Sequence, residues 1–216
     1  MFQKEYWERK SLDQRREPTH PVVRDYVLPK LKWLRQFVPL EASTKVLDVG
    51  AGNGFFSYYL DQIANTTAVD FSQKMLSKNP VSRKVLMDAG RMAFCDFAFD
   101  VVFCHALLHH VEDIGKVVAE MKRVSRKTVV LLEPNPANPL MALFSAVVPE
   151  ERKALAFSEK YLKQVLEDQG LEVVASCAFG MIVPNKTPAF MLPLVRLFDF
   201  PQPWGMTRIL VAQRRS

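Results

Sequence analysis

Lys45-Val46-Leu47-Asp48-Val49-Gly50-Ala51-Gly52-Asn53-Gly54 decides how this chain is read. An apolar run carrying one acid, Asp48, opens into three glycines at alternate positions. A second short apolar run, Thr66 to Val69, then ends in another acid, Asp70. Glycines directly after a strand let the backbone approach a ligand closely. A carboxylate at the tip of the next strand accepts hydrogen bonds from a ribose diol. The pattern predicts an adenosine-type cofactor.

The spacing narrows the choice. Dinucleotide folds use G-x-G-x-x-G to seat a pyrophosphate on a helix N-terminus, whereas here position 55 is Phe and the glycines run G-x-G-x-G. A sulfonium nucleoside fits this turn better than NAD. Asp48-Val49-Gly50-Ala51-Gly52-Asn53-Gly54 resembles the first motif of the class I S-adenosylmethionine-dependent methyltransferases, and Val69-Asp70-Phe71-Ser72 through Met75-Leu76 resembles their second. The likeness runs from about Tyr26 to the C-terminus and is strongest before Glu133.

The resemblance implies an α/β fold with a seven-stranded, mostly parallel sheet, helices on both faces and an antiparallel last strand. It implies S-adenosyl-L-methionine as cofactor, with Gly50, Gly52 and Gly54 against the methionine part and Asp70 on the ribose hydroxyls. Asp88 and Ala89 match the adenine position, and Asp48 orders the glycine turn. Phe71, Cys104 and His105 complete the implied cofactor contacts.

Composition suits one ordinary domain spanning 1–216: an apolar fraction of 49% leaves no need for metals or disulfides to hold it together. Cys95, Cys104 and Cys177 are scattered, without a C-x-x-C pair, and read as free thiols of a reducing cytosol. The start, Met1 to Glu5, is charged and unlike a signal peptide, so a cytoplasmic location is expected. The formal charge is +6, with Lys4, Arg9, Lys10, Arg15 and Arg16 near one end and Arg214 and Arg215 near the other. Such clusters are usually solvated faces. No aromatic residues interleave with them, which argues against nucleic acid and leaves an anionic membrane surface or a phosphorylated substrate compatible.

Apolar periodicity gives alternating strands and helices. A helix is expected over Pro21 to Phe37, interrupted at Pro29, within an N-terminal helical cap over 1–40. Strands are expected at Lys45–Val49, Thr66–Val69, Lys84–Met87, Phe99–Cys104, Thr128–Leu132, Leu171–Ala178 and Gly205–Ala212. Glu133 to Pro139, with three prolines, reads as a rigid polar loop from which Glu133 or Asn135 could face a substrate. Residues 180–205 read as an apolar insertion, rich in Phe and Met, over the acceptor site.

The fourth strand runs into Cys104-His105-Ala106-Leu107-Leu108-His109-His110. His105 and His109 have a helical zinc-ligand spacing, but no H-E-x-x-H accompanies them and no third ligand is evident, so no metal is expected. Leu-His-His-Val here resembles a widespread feature of the family and points to pocket shaping. His105 follows the strand directly, so an imidazole titrating near neutrality there is the catalytic candidate for deprotonating an acceptor hydroxyl. The Asn/Asp-Pro-Pro-aromatic signature that related enzymes use for adenine or amide acceptors is absent at this place. The expected activity is methyl transfer to a small, lipophilic or lipid-linked acceptor, with O-methylation favoured and peripheral membrane association compatible. A noncatalytic cofactor-binding module, or an RNA or protein methyltransferase, are the alternatives.

Overall fold

The computed structural model describes residues 15–215; Lys4, Arg9 and Lys10 lie outside them. Helix α1, Pro21–Leu34, leads into β1 (Lys45–Val49), α2 (Phe55–Leu60), β2 (Asn65–Asp70), α3 (Gln73–Ser77) and β3 (Lys84–Leu86). Then follow β4 (Phe99–His105), α4 (Ile114–Val124), β5 (Ser125–Pro134), α5 (Pro139–Val147), α6 (Glu159–Asp168), β6 (Leu171–Phe179), the short α7 (Leu192–Val195) and β7 (Thr207–Arg214). The strands form one sheet in the order β3-β2-β1-β4-β5-β7-β6, with β7 antiparallel to both of its neighbours. This is the expected seven-stranded topology, and strand order reverses between β1 and β4. Ligands of such sheets bind at that reversal, beyond the carboxyl ends of the strands.

The sheet is buried on both faces, which is why its central strands are nearly continuous apolar runs. Val46, Val101, Phe103, Val130 and Leu132 pack with α1 and α2 on one face. Leu47, Val49, Val102, Cys104 and Leu131 meet α4 and α6 on the other. The Phe55, Phe56, Tyr59, Leu60 stripe is core on the first face, as its helical spacing predicts.

Three expectations need correction. Helix α1 is not interrupted at Pro29. Proline in a helix costs about 3 kcal/mol, but Val22, Val23, Tyr26, Val27, Leu31 and Leu34 are all buried along one side, each contributing about 1.5–3 kcal/mol. The proline-rich loop is shorter than expected, because Asn138 accepts from the Met141 amide at 2.9 Å and Pro139 takes the first helical position, starting α5. Strand ends also move by a few residues: β5 extends to Ser125–Pro134, and β7 begins at Thr207 because Gly205 and Met206 bond to Gln202 and Gly180 instead.

The 180–205 insertion forms no long helix. Only Ile182 and Leu192 of its large apolar side chains are fully buried, while Phe190, Leu194, Leu197 and Trp204 are exposed. It is pinned to α1 by a buried Lys30–Asp199 pair at 3.7 Å and by Arg196 on Asp25. Burial lowers Lys30 to about 8 and raises Asp199, against their mutual attraction.

Candidate active site

The glycine turn is held from inside. Gly50 and Ala51 donate to the Val69 carbonyl, both at 2.9 Å, and Gly52 donates to Asp70 Oδ2 at 2.8 Å. Asp70 Oδ1 accepts from the Ser72 amide at 2.8 Å, so one carboxylate ties the turn to the end of β2. Beneath them Ser57 donates to Asp48 Oδ2 at 2.5 Å, and Asn79 donates to Ser57 Oγ at 3.1 Å and to the Gly52 carbonyl at 3.3 Å. Gly54, the residue that caps α2, has φ 92°. A Cβ there would lie 2.8 Å from Asn79 Oδ1 and 2.9 Å from Pro80 Cδ. Burial lifts the Asp48 carboxyl to about 7, with the Asp70 charge adding and the Ser57 bond opposing.

Above the turn lies a cavity of about 700 Å³, lined by Gly50, Gly52, Asp70, Phe71, Asp48 and His105 among others. Its roof includes Arg15 and the 182–186 stretch. The Arg16 guanidinium donates to the Pro184 carbonyl at 2.6 Å, its amide donates to Asn185 Oδ1 at 3.2 Å, and its carbonyl accepts from Asn53 at 2.9 Å. Arg15 lines the cavity and Arg16 ties its 182–186 stretch in place, both half-buried and not the solvated cluster expected from their charge. Asp88 and Ala89 are not among the lining residues; Asp88 is exposed and caps the Gly90 amide at 2.7 Å. The Cys104 side chain is also off the cavity, fully buried with its thiol pKa pushed up by burial. Backbone room and carboxylate placement over Gly50, Gly52 and Asp70 fit an adenosyl cofactor.

The far end of the cavity is built from residues distant in sequence. His105 Nε2 shares a hydrogen bond with Tyr26 Oη at 2.9 Å, and Tyr26 Oη shares another with Thr207 Oγ1 at 3.0 Å. Burial, then the charges of Lys30, Arg15 and His109, lower His105 to about 3. These surroundings favour the neutral imidazole, against the expectation of titration near neutrality.

His109 behaves in the opposite way. Its Nδ1 bonds Glu133 Oε2 at 2.5 Å and its Nε2 bonds Glu151 Oε2 at 3.1 Å. Burial opposes the charged imidazolium, but the Glu133 and Glu151 carboxylates outweigh it and hold the pKa up at about 9. Glu133 Oε1 also accepts the Leu107 and Leu108 amides at 3.0 and 2.8 Å, fixing the turn that carries both histidines. Glu133 does line the cavity; Asn135 does not, being buried and bonded to the Gly205 carbonyl at 2.7 Å.

Sequence reading missed Tyr26, Asn79, Glu151 and Thr207. Each lies on a segment whose pattern signals only helix, turn or strand, with no local motif marking its role.

Fold, glycine turn and cavity together place this chain among the class I S-adenosylmethionine-dependent methyltransferases, to which it belongs. Residues 47–132 match the family described as "Methyltransferase domain". Over 145 residues the chain is 33% identical to phosphatidylethanolamine N-methyltransferase of Cereibacter sphaeroides, covering 60% of this chain and 71% of that one. It is 34% identical to the ubiquinone biosynthesis O-methyltransferase of Thiobacillus denitrificans over 44% of this chain, and spans 45% of that relative's length. Magnesium protoporphyrin IX methyltransferase from Synechocystis, crystallised with S-adenosylhomocysteine, shares the fold with a TM-score of 0.66 at 17% identity, over 98% of each chain. The protein is an S-adenosylmethionine-dependent methyltransferase and S-adenosyl-L-methionine is its cofactor.

Proposed function

We propose that the enzyme methylates a small lipophilic or lipid-linked acceptor, with O-methylation favoured. The observation that carries this reading is the acceptor end of the cavity, walled by Met141 and Phe144 of α5, by Val148 just after it, and by Ile182, Val183 and Met206. Apolar walls with a few convergent polar groups suit a greasy ligand fixed by one polar end. The names of the phosphatidylethanolamine and ubiquinone-biosynthesis relatives support a lipid-like acceptor.

When bound, the cofactor supplies an already activated methyl group, so the chain's own task is alignment, dehydration and proton handling. Gly50 and Gly52 offer backbone contact to the methionine part, Gly54 sets the turn's exit, and Asp70, lining the cavity at the end of β2, faces the ribose. His105 touches the acceptor as a neutral hydrogen-bond partner held by Tyr26. Among the described residues no helix is long and apolar enough to cross a membrane. Instead, α5 is apolar on both sides: Met141 and Phe144 line the cavity while Leu140, Leu143 and Val147 are exposed. With Phe190, Leu197 and Trp204 they suit peripheral contact with an anionic bilayer.

The test is incubation with methyl-labelled S-adenosylmethionine and separate lipid, polar-metabolite, RNA and protein pools. Label in an extractable lipid or quinol is the expected result. Label in RNA or protein overturns the acceptor class, and none in any pool, with the cofactor still bound, favours a noncatalytic module.

A further inference from the structure

His109, His110 and Glu151 come together at the acceptor end of the cavity, with one ligating atom from each lying within 4.8 Å of the other two. They are contributed by two segments: the helical turn after β4, Leu108–His110, and the Pro149–Ala156 turn after α5. His110 and Glu151 line the cavity. We propose that these three side chains form a binding site for a borderline divalent cation of the Zn2+ class, with its remaining coordination position open to the acceptor.

Three features support a cation rather than a structural contact alone. Two imidazoles and one carboxylate form the donor set of open, catalytic zinc centres, which keep a further position for water or substrate. The 3.1 Å between His109 Nε2 and Glu151 Oε2 is close to the edge of a tetrahedron with bonds of about 2.0 Å, roughly 3.3 Å. His109 Nδ1 is already held by the buried Glu133 carboxylate at 2.5 Å, the outer partner that fixes the tautomer in which Nε2 is the ligand.

The binding claim is independent of the acceptor reading; its chemical consequence rests on it. An acceptor hydroxyl on the open position would become acidic enough to lose its proton to water at neutral pH. The oxygen–methyl bond then forms as the methyl–sulfur bond breaks, the electron pair of that bond remaining on sulfur. Neutral His105 would not have to serve as the base.

The experiment is titration of the full-length, chelator-stripped protein with Zn2+ in competition with a chromophoric chelator, without cofactor or acceptor. One equivalent is expected to bind with sub-micromolar affinity. Glu151→Gln and His110→Asn are each expected to weaken this at least about 100-fold, and Glu133→Gln about 10- to 100-fold. Unchanged S-adenosylhomocysteine binding and thermal unfolding of Glu151→Gln establish that the variant is folded. Absence of saturable binding in the wild type overturns the site, as does binding that Glu151→Gln and His110→Asn leave unaltered, which would assign the metal to the cysteines. Either result leaves the labelled-acceptor experiment readable on its own.

Discussion

The two ends of the cavity are built on different principles. The end at the glycine turn is local: Asp48, the glycine turn, Ser57 and Asp70 lie within one strand–turn–helix–strand unit, and their hydrogen bonds run largely through backbone amides. The far end gathers Tyr26, His105, Glu133, Glu151 and Thr207 from segments spread over most of the chain, and its bonds run largely side chain to side chain. A backbone cradle recognises the invariant part of a reaction with few side chains to alter. A side-chain cluster can change with the substrate while the cradle stays.

The sharpest way to break that contrast is in the cradle. Gly54→Ala forces a Cβ against Asn79 and Pro80 at a positive φ, an expected loss of roughly 2–5 kcal/mol in urea unfolding. Gly52→Ala, whose Cβ would meet nothing nearer than Met75 Cε at 3.5 Å, is expected to lose only about 1–2 kcal/mol. Equal losses would show that steric fit is not what shapes the turn.

Asp70→Ala leaves the Gly52 and Ser72 amides without their acceptor and removes the proposed ribose contact. Cofactor affinity measured by calorimetry is expected to fall by about 1.5–3 kcal/mol, roughly 10- to 150-fold. An unchanged affinity would take Asp70 out of the cofactor site.

Asp48 tests the interior of the same end by pH. Its folded pKa, about 7, is above the ordinary carboxylate value of 3.8, so the folded state holds a proton that the unfolded chain releases between these values. The associated stability is present below pH 4 and is lost as pH rises to 7. Asp48→Asn is therefore expected to be more stable than wild type at pH 8, by on the order of 2 kcal/mol, and to match it near pH 4. Thermal melts across that range decide the matter, and a difference that grows toward acid would reverse the sign.

At the far end the two histidines are expected to separate. His109→Gln disturbs a buried network and should lose about 1–3 kcal/mol of stability. His105→Gln should reduce turnover while leaving the pH dependence of kcat between 6 and 8 unaltered, because the surroundings of His105 favour its neutral form. Loss in that variant of a kinetic limb near pH 6.5 would restore His105 as a general base. The smallest effect concerns the rim: flotation with anionic vesicles should be weak and salt-sensitive, and reduced by Leu143→Ser/Phe190→Ser. Wild-type protein that never floats would return these side chains to another role.

Sequence alone determined the α/β class and the glycine turn tied to Asp70, because both rest on short-range rules. Strand–glycine–helix spacing sets a turn, the next acid follows at a fixed distance, and apolar periods of two and 3.6 distinguish strands from helices. Where a local signal competed with packing, it lost: Pro29 did not break α1, and Arg15 lines the cavity while Arg16 ties its 182–186 stretch in place. Only the tertiary structure decided the far end. His105 reads as a near-neutral imidazole until its burial and the surrounding cations are known, and His109 has no visible partner until β5 brings Glu133 and the turn after α5 brings Glu151. Proton affinity depends on the charges and dielectric around a group, and those come from residues that chain order keeps far apart.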